Sequence, residues 1–546
     1  MKLFAASLPI AAALPCAAAQ APTPLVVEGD LVPGVGTVTG INHIALATNS
    51  QWLVEVDTDN ADTEADSVII RNGAMVLREG DPAPGIPGAT LDSFDSLSLT
   101  PLGGLGRNDF LDGPPSGFDS AVYKDSTLLI QEGDLVSAAG ITPGTPYIGF
   151  FDVKVGALDR LLVMASIDDP AIASSVDRAL VILDASGGTL GSTTLVGREG
   201  EILPGQTLPL DDFETGPHST AFQGQDQVMY IADLEGSVAD SVIYLNDAIL
   251  AQEGQPSPIA GRLWGSLAFS PVDLNSTGDY AFRGTLDGDP STNTLIVKNG
   301  VAIVVEGDSL PAFAPFQLTS FGTGPVHVDR NGSVLWYGDW NDPDTDRDTG
   351  LFLDGRLLVQ EGVTTVGGVV IDTLRGIQDG YILSRDGRFV MFEAILQNGD
   401  EGAFLLDLGL GTNYCTAVPN SSGMTGRIAA SGSDIAGGNP LRLIADQLPI
   451  NQFGFFVASL SQGNFPGIGG SQGTLCLGGT IGRFNSQIQF SGLAGTFEIP
   501  VDTLAIPLTP AVAIQAGETW NFQAWHRDFN PIATSNFTDG LSVPFQ

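Results

Sequence analysis

One short motif recurs seven times along the first two thirds of this 546-residue chain. An aliphatic run is followed by Glu-Gly, usually with Asp or another polar residue next, at intervals of 51, 53, 67, 54, 53 and 55 residues. The seven glutamates are Glu28, Glu79, Glu132, Glu199, Glu253, Glu306 and Glu361. Self-similarity at a period of about 50 residues is typical of repeat architectures, in which each unit is one supersecondary element.

Within each unit the local pattern is that of β-strands. Residues 67–77 and 295–304 both place an Asn-Gly pair between two β-rich runs, and Asp354-Gly355 repeats the arrangement. Such pairs predict two-residue hairpins, because a type I′ turn needs positive φ at both central positions. A further strand precedes each hairpin, and the segment before that strand brings the number to about four strands per unit.

Seven units of this kind predict an all-β fold, a seven-bladed β-propeller. One strand precedes the first Glu-Gly, whereas the last unit, which contains residues 402–407, has no Glu-Gly after it. We therefore expect residues 24–28 to pair with residues 402–408, which closes the ring and removes an exposed sheet edge. An open solenoid is the alternative architecture.

Residues 1–19 predict a cleaved secretory signal peptide. They contain Lys2, then an apolar run, then an Ala-x-Ala site before Gln20. No later segment approaches the roughly 18 consecutive apolar residues that a membrane helix needs. We therefore expect an exported protein, extracellular or on the cell surface, with no transmembrane segment.

Asn275, Gly278, Ala281 and Phe282 form an Asn-x-x-Gly-x-x-Ala-Phe octet within the repeat region. Together with the Glu-Gly-Asp motifs and the export signal, this octet resembles the bacterial tandem-repeat family of choice-of-anchor NxxGxxAF-containing proteins. The likeness covers about residues 22–411, and one repeat carries the full octet. It implies an exported β-repeat protein and brings no catalytic residue with it.

Composition changes after residue 411, so we place a domain boundary there. Residues 412–546 alternate short apolar strands with turns rich in Gly, Ser, Asn and Pro, which predicts a small β-sandwich. Cys415 and Cys476 are the only cysteines beyond the signal peptide. In an oxidising exterior an isolated pair is expected to form one disulfide.

The same C-terminal segment resembles a module found at the ends of many large secreted proteins of the planctomycete type. The likeness rests on Asn413-Tyr414-Cys415, on the glycine-rich residues 469–479 and on residues 520–528 with their two tryptophans. The likeness brings no activity with it. We expect a sorting, anchoring or surface-display role, and this expectation rests on the terminal position alone.

The charge balance limits the classes of partner. The chain carries 63 acidic and 22 basic residues, a formal charge of −41. Nucleic acid is excluded, because binding to a phosphate backbone depends on clustered Lys and Arg. Extracellular glycans, surface proteins and calcium remain as partners. A hydrophobic fraction of 43% with 16% charged residues indicates a folded chain.

Two acidic loops are candidate calcium sites. Carboxylates at closely alternating positions mark both loops, Asp342, Asp344, Asp346 and Asp348 in one and Asp57, Asp59 and Asp62 in the other. Calcium takes six to eight hard oxygen ligands, and this spacing can direct several carboxylates to one centre. The simpler interpretation is a solvated acidic loop in an Asp-rich chain.

Histidines and the repeat glutamates are the other candidate functional residues. His43, His218 and His327 stand 36, 35 and 34 residues before the glutamate of their unit, which allows a three-histidine metal site near one end of the ring. They fall out of register when aligned on the following strand, so isolated histidines are the favoured interpretation. The seven glutamates are interpreted as scaffold residues that accept backbone N–H groups at a tight turn.

No phosphate loop, HExxH or CxxC motif is present. The sequence therefore favours a non-enzymatic binding or structural propeller with a C-terminal attachment or sorting domain. The alternative is an extracellular polysaccharide-degrading enzyme with carboxylates at the propeller axis. Buried carboxylates with raised pKa in a deep axial pocket would favour the enzyme, and a shallow axial face with exposed acids would count against it.

Overall fold

The structure, a computed structural model, describes residues 21–545 except residues 101–102, 173–176, 217, 225–226, 237–239, 433, 435 and 438–440. The predicted signal peptide, residues 1–19, lies outside the described residues. The described part is all-β, as the sequence predicts, and contains no α-helix. Its helical residues form 3₁₀ turns at Thr48–Ser50, Ala157–Asp159, Pro290–Thr292, Ile468–Gly470 and Asn485–Gln487. None of these helices is long or apolar enough to cross a membrane.

Residues 23–407 form seven antiparallel sheets of four to six strands, numbered here in chain order. The first strand, β1 (Thr23–Val27), belongs to sheet 7. Sheet 1 contains β2 (Leu31–Val32), β3 (Gly36–Leu46), β4 (Trp52–Thr58), β5 (Ser67–Arg71) and β6 (Ala74–Arg78). Sheet 2 contains β7 (Thr90–Leu99), β8 (Leu105–Asp112), β9 (Ser120–Lys124) and β10 (Thr127–Gln131). Sheet 3 contains β11 (Tyr147–Val155), β12 (Arg160–Ile167), β13 (Arg178–Asp184) and β14 (Ser192–Arg198).

The remaining four sheets follow the same plan. Sheet 4 contains β15 (Leu210–Phe213), β16 (Thr220–Phe222), β17 (Val228–Leu234), β18 (Val242–Leu245) and β19 (Ala248–Gln252). Sheet 5 contains β20 (Val272–Leu274), β21 (Tyr280–Thr285), β22 (Thr294–Lys298) and β23 (Val301–Val305). Sheet 6 contains β24 (Leu318–Ser320), β25 (His327–Val328), β26 (Val334–Trp340), β27 (Thr349–Leu353) and β28 (Arg356–Gln360). Sheet 7 contains β29 (Thr365–Val366), β30 (Val369–Leu374), β31 (Tyr381–Leu383), β32 (Phe389–Leu396) and β33 (Glu401–Asp407), together with β1.

The hairpins between the last two strands of a sheet explain the repeated Asn-Gly pairs. Asn299 and Gly300 have φ of 50° and 77°, the combination expected for a type I′ turn. The Asn299 side chain also accepts the N–H of Tyr280, at 3.0 Å, and so ties the turn to the start of β21. At Asp354-Gly355 only the aspartate has positive φ, 53°, so the prediction of a type I′ turn is wrong there.

The Asn-x-x-Gly-x-x-Ala-Phe octet is a structural turn between β20 and β21. Asn275 is buried, and its side-chain oxygen accepts the N–H groups of Thr277 and Asp279, both at 2.9 Å. Its amide nitrogen donates to the carbonyl of Asp329, at 2.7 Å, in the equivalent turn of sheet 6. Ala281 and Phe282 then enter the core, fully buried. The octet therefore connects two sheets and has a structural role.

The contacts between the seven sheets form a closed cycle. β3 contacts β7, β7 contacts β11, β11 contacts β16, β16 contacts β20, β20 contacts β25, β25 contacts β31 and β31 contacts β3. The expected closing pair is confirmed, because Thr23–Val27 pairs antiparallel with Gly402–Leu405 of β33. Apolar cores lie between consecutive sheets, and Val26, Val54 and Met391 form part of the core between sheets 1 and 7.

Residues 412–544 form three further sheets. In chain order their strands are β34 (Thr412–Tyr414), β35 (Arg427–Gly432), β36 (Leu441–Asp446), β37 (Phe453–Ser459), β38 (Ser461–Pro466), β39 (Thr474–Gly478), β40 (Gly482–Arg483), β41 (Gln489–Phe490), β42 (Phe497–Val501), β43 (Thr519–Phe529), β44 (Ala533–Phe537) and β45 (Gly540–Pro544). A sheet of order β34-β45-β43-β37-β40, with β41 and β44 at its sides, and a sheet of order β35-β36-β42 share one apolar core around Leu443, Phe456 and Trp520. The pair β38-β39 forms the third sheet.

The predicted disulfide between Cys415 and Cys476 is confirmed, with the two Cα atoms 6.3 Å apart. It connects the segment after β34 to the buried strand β39. Several polar contacts also join the C-terminal sheets to sheets 6 and 7: Arg330 pairs with Glu498, and Arg442 Nε donates to Asn331 Oδ1 at 2.7 Å.

Removing the disulfide is expected to destabilise the C-terminal sheets. The bridge closes a loop between cysteines 61 residues apart, and in the chain-entropy model its loss costs about 4 kcal/mol. A Cys415→Ala, Cys476→Ala variant should therefore unfold its C-terminal sheets at lower denaturant, followed by the fluorescence of Trp520 and Trp525. Reduction of the wild-type chain is the control and should give the same shift; an unchanged midpoint would contradict the expectation.

Candidate functional site

A cavity of about 120 Å³ lies among the strands that make the closed cycle of contacts. Residues from sheets 1 to 7 line it, so it occupies the axis of the cycle. Much of its wall is apolar, with Leu46, Val155 and Phe222 as examples, and its polar groups are concentrated in a few side chains. We call this space the axial cavity.

The axial cavity brings together three of the four histidines of the chain, His43 from sheet 1, His218 from the segment before β16 and His327 from sheet 6. The rings of His218 and His327 stand perpendicular, with centroids 5.9 Å apart. The three histidines thus share one cavity, but among the described residues they do not belong to a group placed to hold a metal ion. The fourth, His526, is buried in the C-terminal sheets.

Two of the histidines share one geometry. His43 Nε2 lies 3.0 Å from the carbonyl oxygen of Leu97, and His327 Nε2 lies 3.1 Å from that of Tyr381. Because a carbonyl oxygen only accepts, each Nε2 must carry a proton. Each Nδ1 then faces a carboxylate at 3.7 Å, Asp379 for His43 and Asp273 for His327.

Asp379 is the central acid of the cavity. It lies between β30 and β31, has a positive φ of 59° that is uncommon outside glycine, and contacts side chains from two other sheets. His218 Nε2 lies 3.1 Å from its Oδ1, a hydrogen-bond distance, and His43 approaches its Oδ2. Burial alone would raise the pKa of Asp379, but His43, His218 and Lys154 lower it below its usual range. Asp379 is therefore ionised at neutral pH.

His218 itself is held in its neutral form. Burial lowers its pKa below the usual value, and the hydrogen bond to Asp379 offsets only part of this effect. A neutral imidazole with its proton on Nε2 fits the donor role that the Asp379 carboxylate requires. The other ring nitrogen is then an acceptor.

Asp273 and Arg385 form the second charged pair. Arg385 Nη1 donates to both carboxylate oxygens of Asp273, at 2.8 Å and 2.7 Å, and Asp273 Oδ2 also accepts the N–H of Val328, at 2.8 Å. Burial would raise the pKa of Asp273, but Arg385 and His327 lower it to about 2. Nearby, Lys154 Nζ pairs with Asp152 Oδ1 at 3.2 Å. Every charge in this group has a charged partner of opposite sign.

The carboxylates with strongly raised pKa lie away from the axial cavity. Burial, with Asp57 adding, raises the pKa of Glu55 to about 8, and burial, with Glu401 adding, raises that of Glu393 to about 8. Burial also raises the pKa of Asp109 to about 7, although its ion pair with Arg107 opposes the shift. None of these acids is among the described residues that line the cavity.

The repeat glutamates occupy turns that join consecutive sheets. Glu306 donates its N–H to the carbonyl of Thr294, at 2.9 Å, and its carboxylate accepts the Thr294 N–H, at 3.0 Å. Five of the seven accept a backbone N–H in this way, while Glu253 and Glu361 accept hydroxyl groups. The glycines that follow have φ between 65° and 89° and donate towards the next sheet. These contacts hold the repeat together and leave the glutamates outside the axial cavity.

The two acidic loops do not bring their carboxylates to a common centre. Asp342 accepts the N–H of Asp344, at 3.0 Å, whereas Asp59 accepts that of Thr37, at 2.6 Å. Asp57 accepts from the Asn42 side chain at 2.8 Å. Among the described residues, which include Asp62, Asp346 and Asp348, no group of three or more His, Cys, Asp or Glu side chains is placed to hold a metal ion. Calcium binding therefore stays a prediction.

Sequence reasoning missed Asp379, Lys154 and Arg385 as candidate residues. One signal was present. The chain has only 22 Lys and Arg residues and four histidines against 63 acidic residues, so each Lys or His in a repeat unit is uncommon. Lys154 is one of the few lysines, and three of the four histidines stand at nearly equal offsets from the repeat glutamates. Residues that share an offset in successive repeats occupy the same level of the assembly.

Comparison with known proteins finds only weak similarities. No family model matches the chain, and no curated protein matches it. Among solved structures it is similar to a Trypanosoma rangeli sialidase in complex with 2,3-difluorosialic acid, at 9% identity and a TM-score of 0.27, over 96% of this chain and 91% of that chain. A glucose dehydrogenase matches at 11% identity and a TM-score of 0.25, over 59% of this chain and 99% of its own. A GH43 glycoside hydrolase matches at 9% identity and a TM-score of 0.21, over 93% and 92%. Similarities this weak carry no argument about fold or function.

Proposed function

We propose that residues 22–411 are a closed seven-bladed β-propeller and that residues 412–546 are a β-sandwich joined to it. The seven sheets in chain order, the cycle of contacts among their strands and the pairing of β1 with β33 support the ring. The shared core of two C-terminal sheets supports the sandwich. In this architecture loops and strand ends from all blades converge on one axis, where propellers leave a central channel.

The same proposal places the protein outside the cell. Residues 1–19 act as a signal peptide, the sandwich attaches or sorts the chain, and the chain is a member of the NxxGxxAF-containing repeat family. The support is the N-terminal sequence, the single disulfide and the octet at Asn275. An oxidising compartment is where such a bridge persists.

The propeller serves as a binding module, and the axial cavity is its ligand site. The observation that carries this proposal is the convergence of His43, His218 and His327, from three sheets, on a cavity that also contains Asp379 and Arg385. A concave, partly apolar site with a few convergent polar groups is the usual form of a ligand pocket. An extracellular glycan is the partner that suits it, since the chain repels anionic surfaces.

A polysaccharide-degrading enzyme is the second candidate. The observation that favours it is the His218–Asp379 pair, in which an oriented imidazole could act as a general base. A two-carboxylate glycosidase also needs a protonated acid with a raised pKa. The pKa values of both Asp379 and Asp273 are lowered instead, so this evidence weighs towards binding.

A depletion assay tests the proposal. Residues 20–546 are incubated with insoluble polysaccharides and cell envelopes, and both protein depletion and released fragments are measured. We expect depletion without products, and at least tenfold weaker depletion by Asp379→Asn, whose Asn tolerates positive φ and leaves the backbone intact.

Asp247→Asn, at an exposed hairpin position, is the matched control and should bind like the wild type. Released fragments that disappear in Asp379→Asn would establish the enzyme instead. Equal depletion by all three proteins would contradict the axial site.

A further inference from the structure

Resting on the proposed export of the chain and on the attachment role of its C-terminal sandwich, we propose that one end of this sandwich inserts into the surface of a phospholipid bilayer whose head groups carry no net charge. The inserting side chains are apolar and exposed, and they come from three segments of the chain. They are Ile450, Phe453, Phe490, Leu493, Phe529 and Ile532, which we call the apolar apex.

Strand pairing brings the three segments of the apolar apex to one end of the largest C-terminal sheet. β37 begins at Phe453 and β43 ends at Phe529, and the two strands are antiparallel, with Gly454 opposite His526. β41 ends at Phe490, directly opposite Phe453, and the centroids of these two rings are 5.0 Å apart. The start of β37 therefore lies beside the ends of β41 and β43.

The loop before β37 and the loop after β41 are hydrogen-bonded to each other. Asn451 donates its N–H to the carbonyl of Gly492, at 2.8 Å. The hydroxyl of the buried Ser491 bonds to two backbone groups of the first loop, at 2.9 Å and 2.7 Å. Ile450 and Leu493 are thus exposed on loops whose backbones are fixed. A contiguous apolar patch held in water in this way marks an interaction site.

The apolar apex lies in a part of the chain that is poor in acidic groups. Residues 447–497 contain no Asp or Glu, although the chain has 63 acidic residues. Residues 412–546 carry seven acidic and four basic residues, so nearly all of the formal charge of −41 belongs to residues 1–411. Residues 519–538 contain one acid, Asp528, which is 3% exposed and accepts the N–H groups of Ser421 and Phe529, at 3.2 Å and 2.8 Å. These segments can therefore leave water without desolvating an exposed carboxylate.

The contacts with the repeat region leave the apolar apex uncovered. Arg442 and Glu498, which contact residues of sheet 6, belong to the sheet β35-β36-β42. The strands of the apex belong to the other sheet that shares this core. The exposed fractions of the six apex side chains range from 47% at Phe490 to 83% at Leu493. The sandwich can thus hold the repeat region on one sheet and a separate partner at the end of the other.

The mixture of side chains favours lipid over a glycan. Sugar rings stack on the planar faces of aromatic side chains, but three of the six apex residues, Ile450, Leu493 and Ile532, are aliphatic. A hydrocarbon phase accepts both kinds, and exposed Phe and Leu are typical of segments that lie in the interface of a bilayer. Arg527, exposed on β43 two residues before Phe529, adds a guanidinium that can bind the phosphate of a head group.

Charge favours a neutral bilayer over a second copy of the chain. Two chains that each carry a formal charge of −41 repel each other. The same charge opposes approach to a surface rich in anionic lipid. A zwitterionic head group such as phosphatidylcholine carries no net charge, so a bilayer of such lipids lets the apex insert without this repulsion.

Flotation of residues 20–546 with extruded phosphatidylcholine vesicles tests the proposal. We expect the wild type to float with the vesicles and a Leu493→Ser, Phe529→Ser variant to bind at least tenfold more weakly. The matched control is Leu135→Ser, Phe269→Ser, which removes a Leu and a Phe that are 63% and 74% exposed in the repeat region, and it should bind like the wild type. Both variants should keep the unfolding temperature of the wild type, because the replaced side chains are exposed.

A reporter in the apolar apex measures insertion itself. On the same vesicles Leu493→Trp should shift its fluorescence to shorter wavelength, and lipids brominated in their acyl chains should quench it. Leu135→Trp is the control and should show neither effect. A Leu493→Trp signal that stays unshifted and unquenched while the protein floats would show adsorption without insertion, and it would overturn the proposal.

Flotation that is absent in the wild type, or that is equal in Leu493→Ser, Phe529→Ser, would also overturn it. A dimer in sedimentation velocity that this variant dissociates would assign the apolar apex to a second copy of the chain instead. Purified polysaccharides contain no lipid and pure vesicles contain no glycan, so the two sites are tested separately. Asp379→Asn should float like the wild type, and Leu493→Ser, Phe529→Ser should be depleted by polysaccharide like the wild type.

Discussion

Deletion of residues 21–30 is expected to abolish the cooperative unfolding of residues 22–411. These residues contain β1, which pairs with β33 across the ends of the repeat region. Val26 is 3% exposed and packs in the core between sheets 1 and 7, and Glu28 bonds to Glu401 through both its N–H and its carboxylate. Without β1 the edge of β33 is bare and the ring is open, so the chain should aggregate.

Calorimetry and size-exclusion chromatography measure this effect. A synthetic peptide of residues 21–30 added in trans should restore the transition, and a scrambled peptide should not. Val26→Asp is the point variant with the same expected direction, and Leu31→Asp is its control, because Leu31 is 74% exposed. A deletion variant that stays monomeric with an unchanged transition would show that the ring does not depend on its closing strand.

The second large effect is a loss of stability as the pH rises. Burial raises the pKa of Glu55 and of Glu393 to about 8 and that of Asp109 to about 7. In the unfolded chain such carboxyls titrate near pH 4. A raised folded pKa stabilises the fold fully below the unfolded value, and this contribution is lost as the pH rises through the folded value.

We therefore expect the unfolding temperature to fall between pH 5.5 and 8.5 by at least about 5 °C. Asp273 and Asp379 have the opposite effect. Their lowered pKa values stabilise the fold at neutral pH, and this contribution is lost as the pH falls through the folded pKa, which is about 2 for Asp273. The optimum should thus lie in mildly acid solution.

Two variants isolate the cause of this pH dependence. Glu55→Gln and Glu393→Gln remove a buried charge, so both should raise the unfolding temperature at pH 8.5 and change it little at pH 5.5. Glu64→Gln, at an exposed loop position, is the control and should have no effect at either pH. A wild-type curve that is flat or rises over this range would refute the expectation.

The repeat made the strands and the closing pair predictable. Alternating and β-branched runs, hairpin dipeptides and Glu-Gly turns are local signals, and the missing strand of the last unit follows from their count. The disulfide was predictable because only two cysteines remain after residue 16. The turn at Asp354-Gly355 was not, because Gly355 is compatible with either sign of φ.

The axial site could not be predicted from the sequence because its members come from different sheets. Asp379 lies between β30 and β31 of sheet 7. Its partners are His43 of sheet 1 and His218 before β16 of sheet 4, which are 336 and 161 residues away in sequence. Nothing local distinguishes Asp379 among 63 acidic residues. The histidine offsets indicated a common position near one end of the ring, whereas alignment on the following strand did not. That alignment fails because bulges in β3 and the break between β15 and β16 change the number of residues between histidine and strand.

Hydrogen–deuterium exchange of the full exported chain, with and without the polysaccharide that depletes it, tests the central claim most directly. If the axial cavity is the ligand site, protection should appear in residues 43–47, 218–223 and 375–385, and it should be lost in Asp379→Asn. Protection confined to the acidic loops at residues 57–62 and 342–348, or to the C-terminal sheets, would contradict the account and assign binding to another surface.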